Sequence, residues 1–406
     1  MSDSGGPQRI SPPRWSVLIF IALVLGVFFA SISWIANTQA ESAMQGLFLA
    51  ALARIEFLLT LPLRLVAILF ARDDKLYGAY GIVAGLAFVM PLFWLMGGWG
   101  VRESLRRRFH RKPDDDRVDA SRRAFLRRAA AGGAGAGAAL VTVDASLLAP
   151  QRLQLREYTV PIADLPSSME GLRIAHVSDT HRGPYITHAM IEHAIRQANA
   201  LEPDLALLTG DFVYHHRSYI EDGVGLLSML KPRIGSLAVL GNHDHWQGTS
   251  QCREAFAKYG IPLLDNARVF LDERGFSNRP RRGTPICIAG LGDLWADRCD
   301  FGAALGEIPE HIPRIVLSHN PDIAAEAPRD TRIDLMLSGH THGGQVRFPG
   351  LGSPFAPSKY GERFIGGMCE GSHFPVVVSR GVGLAGIPVR FRVPPEIGVI
   401  TLTRAG

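Results

Sequence analysis

Hydrophobic and polar positions follow two different patterns along this 406-residue chain. Up to about residue 100 the apolar residues form long runs, whereas from about residue 150 they form short Val/Ile/Leu stretches separated by Gly, Pro and charged residues. The run 15–36 carries no charge over more than 20 positions, enough for a helix to cross the ~30 Å hydrocarbon layer. The run 80–101 is also free of charge and carries Trp94 and Trp99 near one end, where amphipathic rings favour the interface. Both are predicted to span. Between them, 47–70 is apolar but holds Arg54, Glu56, Arg64 and Pro62. Isolated charges at mid-bilayer cost roughly 2.5 to 3.5 kcal/mol each, so this segment reads as interfacial or re-entrant in preference to a third span.

From about residue 150 the pattern changes to alternating strands and helices. Apolar runs at 173–178, 204–209, 236–240, 314–317 and 333–337 suit strands of a covered sheet. Thr187 is placed to cap a helix whose apolar face is Ile191, Ala194, Ile195 and Ala198. The chain therefore divides into a membrane region 1–101, a basic loop 102–128, a weakly apolar segment 129–149 and a globular α/β domain 150–406.

The net charge of +5 could suggest a nucleic-acid partner, but eleven Lys/Arg residues fall between Arg102 and Arg128, beside the apolar runs. That arrangement is a membrane flank, and no nucleic-acid partner is indicated. Arg9, Arg14 and the basic loop place the N-terminus and residues 102–128 on the cytoplasmic side, which two crossings satisfy and three do not. Within the loop, Ser121-Arg122-Arg123-Ala124-Phe125-Leu126-Arg127 precedes a Gly/Ala-rich stretch. This order resembles a twin-arginine export signal, although such signals normally begin a chain. It implies a twin-arginine translocase as partner and a folded domain outside the inner membrane; the other reading leaves the arginines as ordinary flank. Cys252, Cys287, Cys299 and Cys369 lack CxxC or zinc-finger spacing, which argues against a thiolate metal site; buried thiols are expected, with a disulfide of unassigned pairing open to an extracytoplasmic domain.

All five predicted strands end in residues with metal affinity. The ends are Asp179-Thr180-His181, Gly210-Asp211, Gly241-Asn242-His243-Asp244, Ser318-His319-Asn320 and Gly339-His340-Thr341-His342. In open α/β architectures ligands gather where strand carboxyl ends meet loops, so groups far apart in sequence can converge. Each motif alone is weak; their repetition is not.

In this order the motifs resemble the calcineurin-like metallophosphoesterase superfamily, over residues 172–345. The stretch from Ser379-Arg380-Gly381-Val382-Gly383 to Pro394-Pro395-Glu396-Ile397 is similar to the tail of its membrane-anchored bacterial branch. The resemblance implies a four-layer αββα sandwich. It puts Asp179, His181 and His342 on one metal, Asn242, His319 and His340 on a second, and Asp211 between them. Two divalent ions of the Mn, Fe, Zn or Co kind suit such oxygen and imidazole donors. Held about 3.5 to 4 Å apart, they can turn water into hydroxide and polarise a phosphoryl group.

His243 is then expected to hydrogen-bond the phosphate or protonate the leaving oxygen, with Asp244 orienting its ring. Gly343 and Gly344 are expected to let backbone pass close to the ligand histidines, and His176 to be a packed core residue. Residues 348–371, with Phe355, Lys359, Tyr360, Arg363 and Phe364, are expected to line the substrate entrance. The predicted activity is hydrolysis of a phosphodiester, pyrophosphate or phosphomonoester. A lipid-linked nucleotide such as a UDP-diacylglucosamine is the suggested substrate type, because the chain is anchored. The competing class is a catalytically silent, metal-bound membrane protein that binds a phosphorylated partner.

Overall fold

A computed structural model describes residues 144–406, except 282–284, 351, 354, 355 and 387, together with eight helical residues between 125 and 143. The expected spans 15–36 and 80–101, the segment 47–70 and the basic loop, but for Phe125 and Leu126, lie outside the described residues. Among the described residues no helix is long and apolar enough to cross a membrane. The chain divides into two compact units, and everything from Asp144 to Gly406 belongs to one of them. That unit starts slightly upstream of the expected residue 150: Ala145, Ser146, Ala149 and Pro150 are buried, and the Ala145 carbonyl accepts from the Arg390 amide at 2.8 Å.

Two mixed sheets organise this unit. The first contains β1 (Gln154–Ile162), β2 (Arg173–Val177), β3 (Leu205–Thr209), β4 (Gly235–Val239) and β12 (Glu396–Arg404), in the order β1-β12-β2-β3-β4. Strands β2, β3 and β4 run parallel, β12 pairs antiparallel to β2, and β1 lies parallel to β12. The second contains β5 (Ala267–Asp272), β6 (Gly275–Ser277), β7 (Ile286–Gly290), β8 (Arg314–Leu317), β9 (Leu335–Ser338), β10 (Gly367–Glu370) and β11 (Pro375–Val378), in the order β10-β11-β9-β8-β7-β5-β6. Its centre, β11-β9-β8-β7, is parallel.

Because β2, β3, β8 and β9 are buried on both faces, they read as mainly apolar runs, broken within β2 by the buried His176. One face of each sheet enters a common core. Ile174, Leu205, Leu207 and Leu237 from the first sheet meet Ile288, Ile315, Leu317, Leu335 and Leu337 from the second. Truncating any one of these leucines to Ala is expected to cost roughly 2–5 kcal/mol, so their summed burial fixes one sheet against the other.

Helices α1 (His188–Asn199), α2 (Ile220–Leu227) and α3 (Asn242–Lys258) follow strands of the first sheet. Thr187 caps α1 by accepting from the Met190 amide, and Ile191, Ala194, Ile195 and Ala198 are buried as their spacing predicts. On the outer face of the second sheet, Cys287, Val316 and Met336 pack with Ala304 and Leu305 of α4 (Phe301–Leu305) and Ile323 and Ala324 of α5 (Ile323–Glu326). The four cysteines are free thiols.

Candidate metal centre

The parallel strands of both sheets end on the same rim, where the residues after β2, β3, β4, β8 and β9 meet. Five side chains there sit on left-handed backbone: Asp179 (φ 53°), His181 (47°), Asp211 (55°), His340 (69°) and His342 (52°). Each such residue costs roughly 1 kcal/mol or more and persists only where its surroundings hold it. Here the loops hold one another. The Asp179 amide donates to the Gly210 carbonyl at 2.9 Å, and the His181 amide to the Asp211 carbonyl at 3.0 Å. Across the sheets, the His340 amide donates to both Asp179 oxygens, at 3.0 and 3.1 Å.

Two triads result, Asp179–His181–His342 and Asp211–His319–His340, each able to offer one ligand atom per residue with all atoms within 4.8 Å of one another. In the first, His181 Nε2 lies 2.9 Å from His342 Nε2, and His342 Nε2 lies 3.3 Å from Asp179 Oδ1. In the second, His319 Nε2 is 3.1 Å from His340 Nδ1 and 3.2 Å from Asp211 Oδ2. The triads are neighbours, since Asp211 Oδ2 is also 3.5 Å from His181 Nε2. Asn242, at the first turn of α3, is buried, and its Oδ1 has no hydrogen-bond partner.

Facing nitrogens at these separations, a partnerless buried amide oxygen and two buried carboxylates are what a cation pair would satisfy. The donors, all oxygen and imidazole nitrogen, fit divalent ions. His319 is oriented from behind: its Nδ1 lies 2.7 Å from the Thr209 carbonyl, which fixes Nδ1–H as donor and turns Nε2 to the site.

Charge is distributed unevenly across the centre. Burial would raise the Asp211 carboxyl, but the adjacent His319 holds it well below the usual range. Burial would lower His319, yet Asp211 and Asp179 push it up to about 10. Burial raises Asp179 to about 7 and drives His181 and His342 well below the ordinary imidazole value and His340 down to about 3.

Some expected roles are filled differently. Asp244 does not orient the His243 ring: its oxygens accept the Asp211, Phe212, Val213 and Gly241 amides at 2.8 to 3.2 Å, and His243 Nδ1 has no hydrogen-bond partner. A buried carboxylate beside four N–H groups fastens the β3 loop to the start of α3, which positions Asp211 and Asn242. Nor are Gly343 and Gly344 the glycines that spare the ligands. A Cβ on Gly343 would meet Val393 and Arg380, and one on Gly344 would meet Ser353. Close approaches to the ligands fall at Gly210 (φ 85°), where a Cβ would lie 2.8 Å from His319 Nδ1, at Gly241, 2.4 Å from Asp211 Oδ1, at Gly339, 2.2 Å from Asp179 Oδ2, and at Gly381, 2.6 Å from Asp179 Cβ. His176 is fully buried beside Thr209, as expected.

Residues 348–371 also serve another purpose. Phe364 is buried in the outer core of the second sheet, Lys359 pairs with Glu326 at 2.9 Å, and Arg363 donates to the Glu370 and Gly371 carbonyls; Phe355 lies outside the described residues.

Residues that the motifs do not mark also stand against the centre. His243 contacts the Tyr214 ring at 4.9 Å and the Trp246 ring at 4.9 Å, and Trp295 stands edge-on to His340 at 4.3 Å. Buried Asp293 accepts the Trp295 and Ala296 amides and thereby sets that loop. A signal for it was present: Gly292-Asp293 follows an apolar run as Gly210-Asp211 does.

Residues 172–344 match the family model of the calcineurin-like phosphoesterases. The chain is 32% identical over 265 residues to "Uncharacterized metallophosphoesterase YkuE" of Bacillus subtilis, covering 64% of this chain and 88% of that protein. It is 34% identical over 235 residues to "Phosphodiesterase YaeI" of Escherichia coli, covering 57% and 82%. It is 32% identical to a "Transmembrane protein with metallophosphoesterase domain" of Danio rerio, covering 66% of this chain and 61% of that one. The fold and site thus define a metal-dependent phosphoesterase domain. The chain belongs to the calcineurin-like phosphoesterase family, a family of phosphoester hydrolases that use divalent metals.

Proposed function

We propose that this chain hydrolyses a phosphodiester or pyrophosphate with two divalent metal ions. Asp179, His181 and His342 would hold one ion, Asn242, His319 and His340 the other, and Asp211 both. The observation that carries this reading is the convergence of two buried triads around Asp211, with the Asn242 amide oxygen left for a cation. When bound, such a pair supplies a strong nucleophile at neutral pH and neutralises charge on the phosphoryl oxygens. The protein's own part is positioning. Asp244 and Gly210 set the β3 loop, and Thr209 fixes the His319 tautomer. Tyr214, Trp246 and Trp295 shield the centre. Burial pushes the His243 imidazole down, so it is neutral near pH 7 and retains one N–H to donate to a phosphoryl or leaving oxygen.

The same reading keeps the domain outside the inner membrane, carried there by spans 15–36 and 80–101 and the twin-arginine segment, and directs it to an envelope or lipid-linked phosphate. Support comes from the charge pattern of 102–128 and from two relatives, one named a transmembrane protein and the other a phosphodiesterase. Turnover of bis-p-nitrophenyl phosphate by the full chain loaded with Mn tests the chemistry. No turnover from metal-loaded protein would return the catalytically silent reading. A reporter fused after residue 150 tests the orientation, and a cytoplasmic signal would reject export.

A further inference from the structure

Beside the metal centre lies a second concavity that contains none of the candidate ligands. It is a cavity of about 50 Å³ whose lining includes Arg347, Arg380, Arg392, Gly343, Ile365 and Val393. Arg347 pairs with Glu362 at 2.8 Å, and Arg380 faces buried Glu396 at 3.4 Å, which Arg156 also approaches at 3.7 Å. Arg392 has no ion-pair partner among the described residues. Four guanidiniums, of Arg156, Arg347, Arg380 and Arg392, therefore stand against two carboxylates, of Glu362 and Glu396, and the excess of two positive charges is local to the cavity.

The chain maintains this arrangement against a conformational cost. Arg392 has φ 58°, a backbone region that arginine rarely adopts. It is held there because the neighbouring Phe391 amide donates to the Gln345 carbonyl at 2.8 Å, and the Phe391 carbonyl accepts from the Arg347 amide at 3.0 Å. One short ladder thus presents Arg347 and Arg392 to the same space. The third arginine links the cavity to the centre: Arg380 precedes Gly381, where a Cβ would come within 2.6 Å of Asp179 Cβ and 3.3 Å of His342 Nδ1. Likewise Gly343, on the cavity wall, directly follows His342.

We propose that this cavity binds a phosphate-class oxyanion next to the metal centre. Forked guanidiniums match the oxygens of a phosphate, and a space of about 50 Å³ has no room for a large apolar group. Two sources carry that chemistry: the non-reacting phosphate of a substrate whose scissile phosphate lies at the metals, or the phosphate of an anionic lipid headgroup. The first source rests on the hydrolase reading above; the binding itself does not.

The test uses the full chain, loaded with Mn in detergent micelles. Arginines are modified with phenylglyoxal and located by peptide mass spectrometry, with and without inorganic phosphate. Phosphate is expected to slow modification of Arg392 while leaving exposed Arg298 unchanged, and Arg347→Gln is expected to remove the protection. Equal Arg392 modification with and without phosphate overturns the proposal, whatever the protein's activity. Arg392→Gln separates the sources. If the anion belongs to the substrate, the KM for a nucleoside diphosphate ester rises roughly tenfold relative to that for bis-p-nitrophenyl phosphate, as expected for one lost charge-assisted hydrogen bond. If it belongs to a lipid, phosphatidic acid in the micelles protects Arg392 where phosphatidylcholine does not, and the KM ratio is unchanged. Protection by inorganic phosphate without either effect leaves free phosphate as the ligand.

Discussion

The two sheets contribute unequally to the centre. The first supplies both carboxylates, the Asn242 amide and one imidazole, His181; the second supplies three imidazoles, His319, His340 and His342. Yet neither triad belongs to one sheet. His342 from the second joins Asp179 and His181, and Asp211 from the first joins His319 and His340. Each sheet thus holds an incomplete set, anionic on one side and imidazole-rich on the other. The inter-sheet core around Leu207, Leu237, Leu317 and Leu337 is what brings them within reach. A metal bound here would act as a staple between the sheets, so metal affinity and sheet packing are linked.

The strongest way to break that link is to remove the one carboxylate facing both triads. Asp211→Asn is expected to lose both metals by elemental analysis and to lower turnover by more than about a hundredfold, the upper range seen for removing outer-shell partners alone. Retention of two metals at full occupancy would contradict the shared role.

Next, His243→Ala should separate chemistry from assembly: metal content stays at the parent level while turnover falls by about 10²-fold or more. Metal loss in that variant would instead make His243 part of the cradle.

A third change acts on the sheet contact itself. In Gly339→Ala the new Cβ, on the second sheet's rim, would come 1.9 Å from Ser178 Oγ and 2.2 Å from Asp179 Oδ2 on the first. Overpacking of this kind costs about 1–3 kcal/mol, to be read as a lower melting temperature together with reduced metal content. A variant that melts lower but binds metal normally would show that the rims are independent.

The pH dependence of loading sharpens the electrostatic contrast. Asp211 raises His319 to about 10, so below that pH the metal must displace a proton. Apparent metal affinity should therefore weaken as pH falls, by about tenfold per unit for each proton displaced. Metal titration between pH 6 and 8, with proton release followed in weak buffer, reads the number directly; affinity independent of pH would mean His319 is already neutral. The smallest effect is expected from Lys359→Ala, which removes an exposed pair with Glu326 and a contact over the Tyr360 ring and should leave turnover and KM within about twofold.

Much of this was legible in the residues. Strands β2, β3, β4, β8 and β9 fall within one or two positions of the apolar runs, because strands covered on both faces favour apolar residues, and Thr187 marks the start of α1 by its hydroxyl. The candidate ligands were legible because Asp, Asn and His recur after those runs. The other strands were not: edge strands β1, β6 and β10 carry mixed, partly exposed side chains that resemble loops, and the buried β7 and β11 end in none of the ligand motifs that drew attention to the other runs. Asp244 was misjudged because adjacency to His243 in sequence suggested contact, whereas the first turn of α3 points its carboxylate back to the amides of the β3 loop.

The sequence by itself determined the ligand chemistry and the strands that bear it, because residue type and hydrophobic period are local properties. Only the tertiary structure decided that Asp244 fastens the β3 loop, that Trp295 and Tyr214 stand against the centre, and that three arginines separated by up to 45 positions line one cavity. Those outcomes depend on how two sheets pack face to face, and that packing is set by the summed burial of many side chains, which no short motif records.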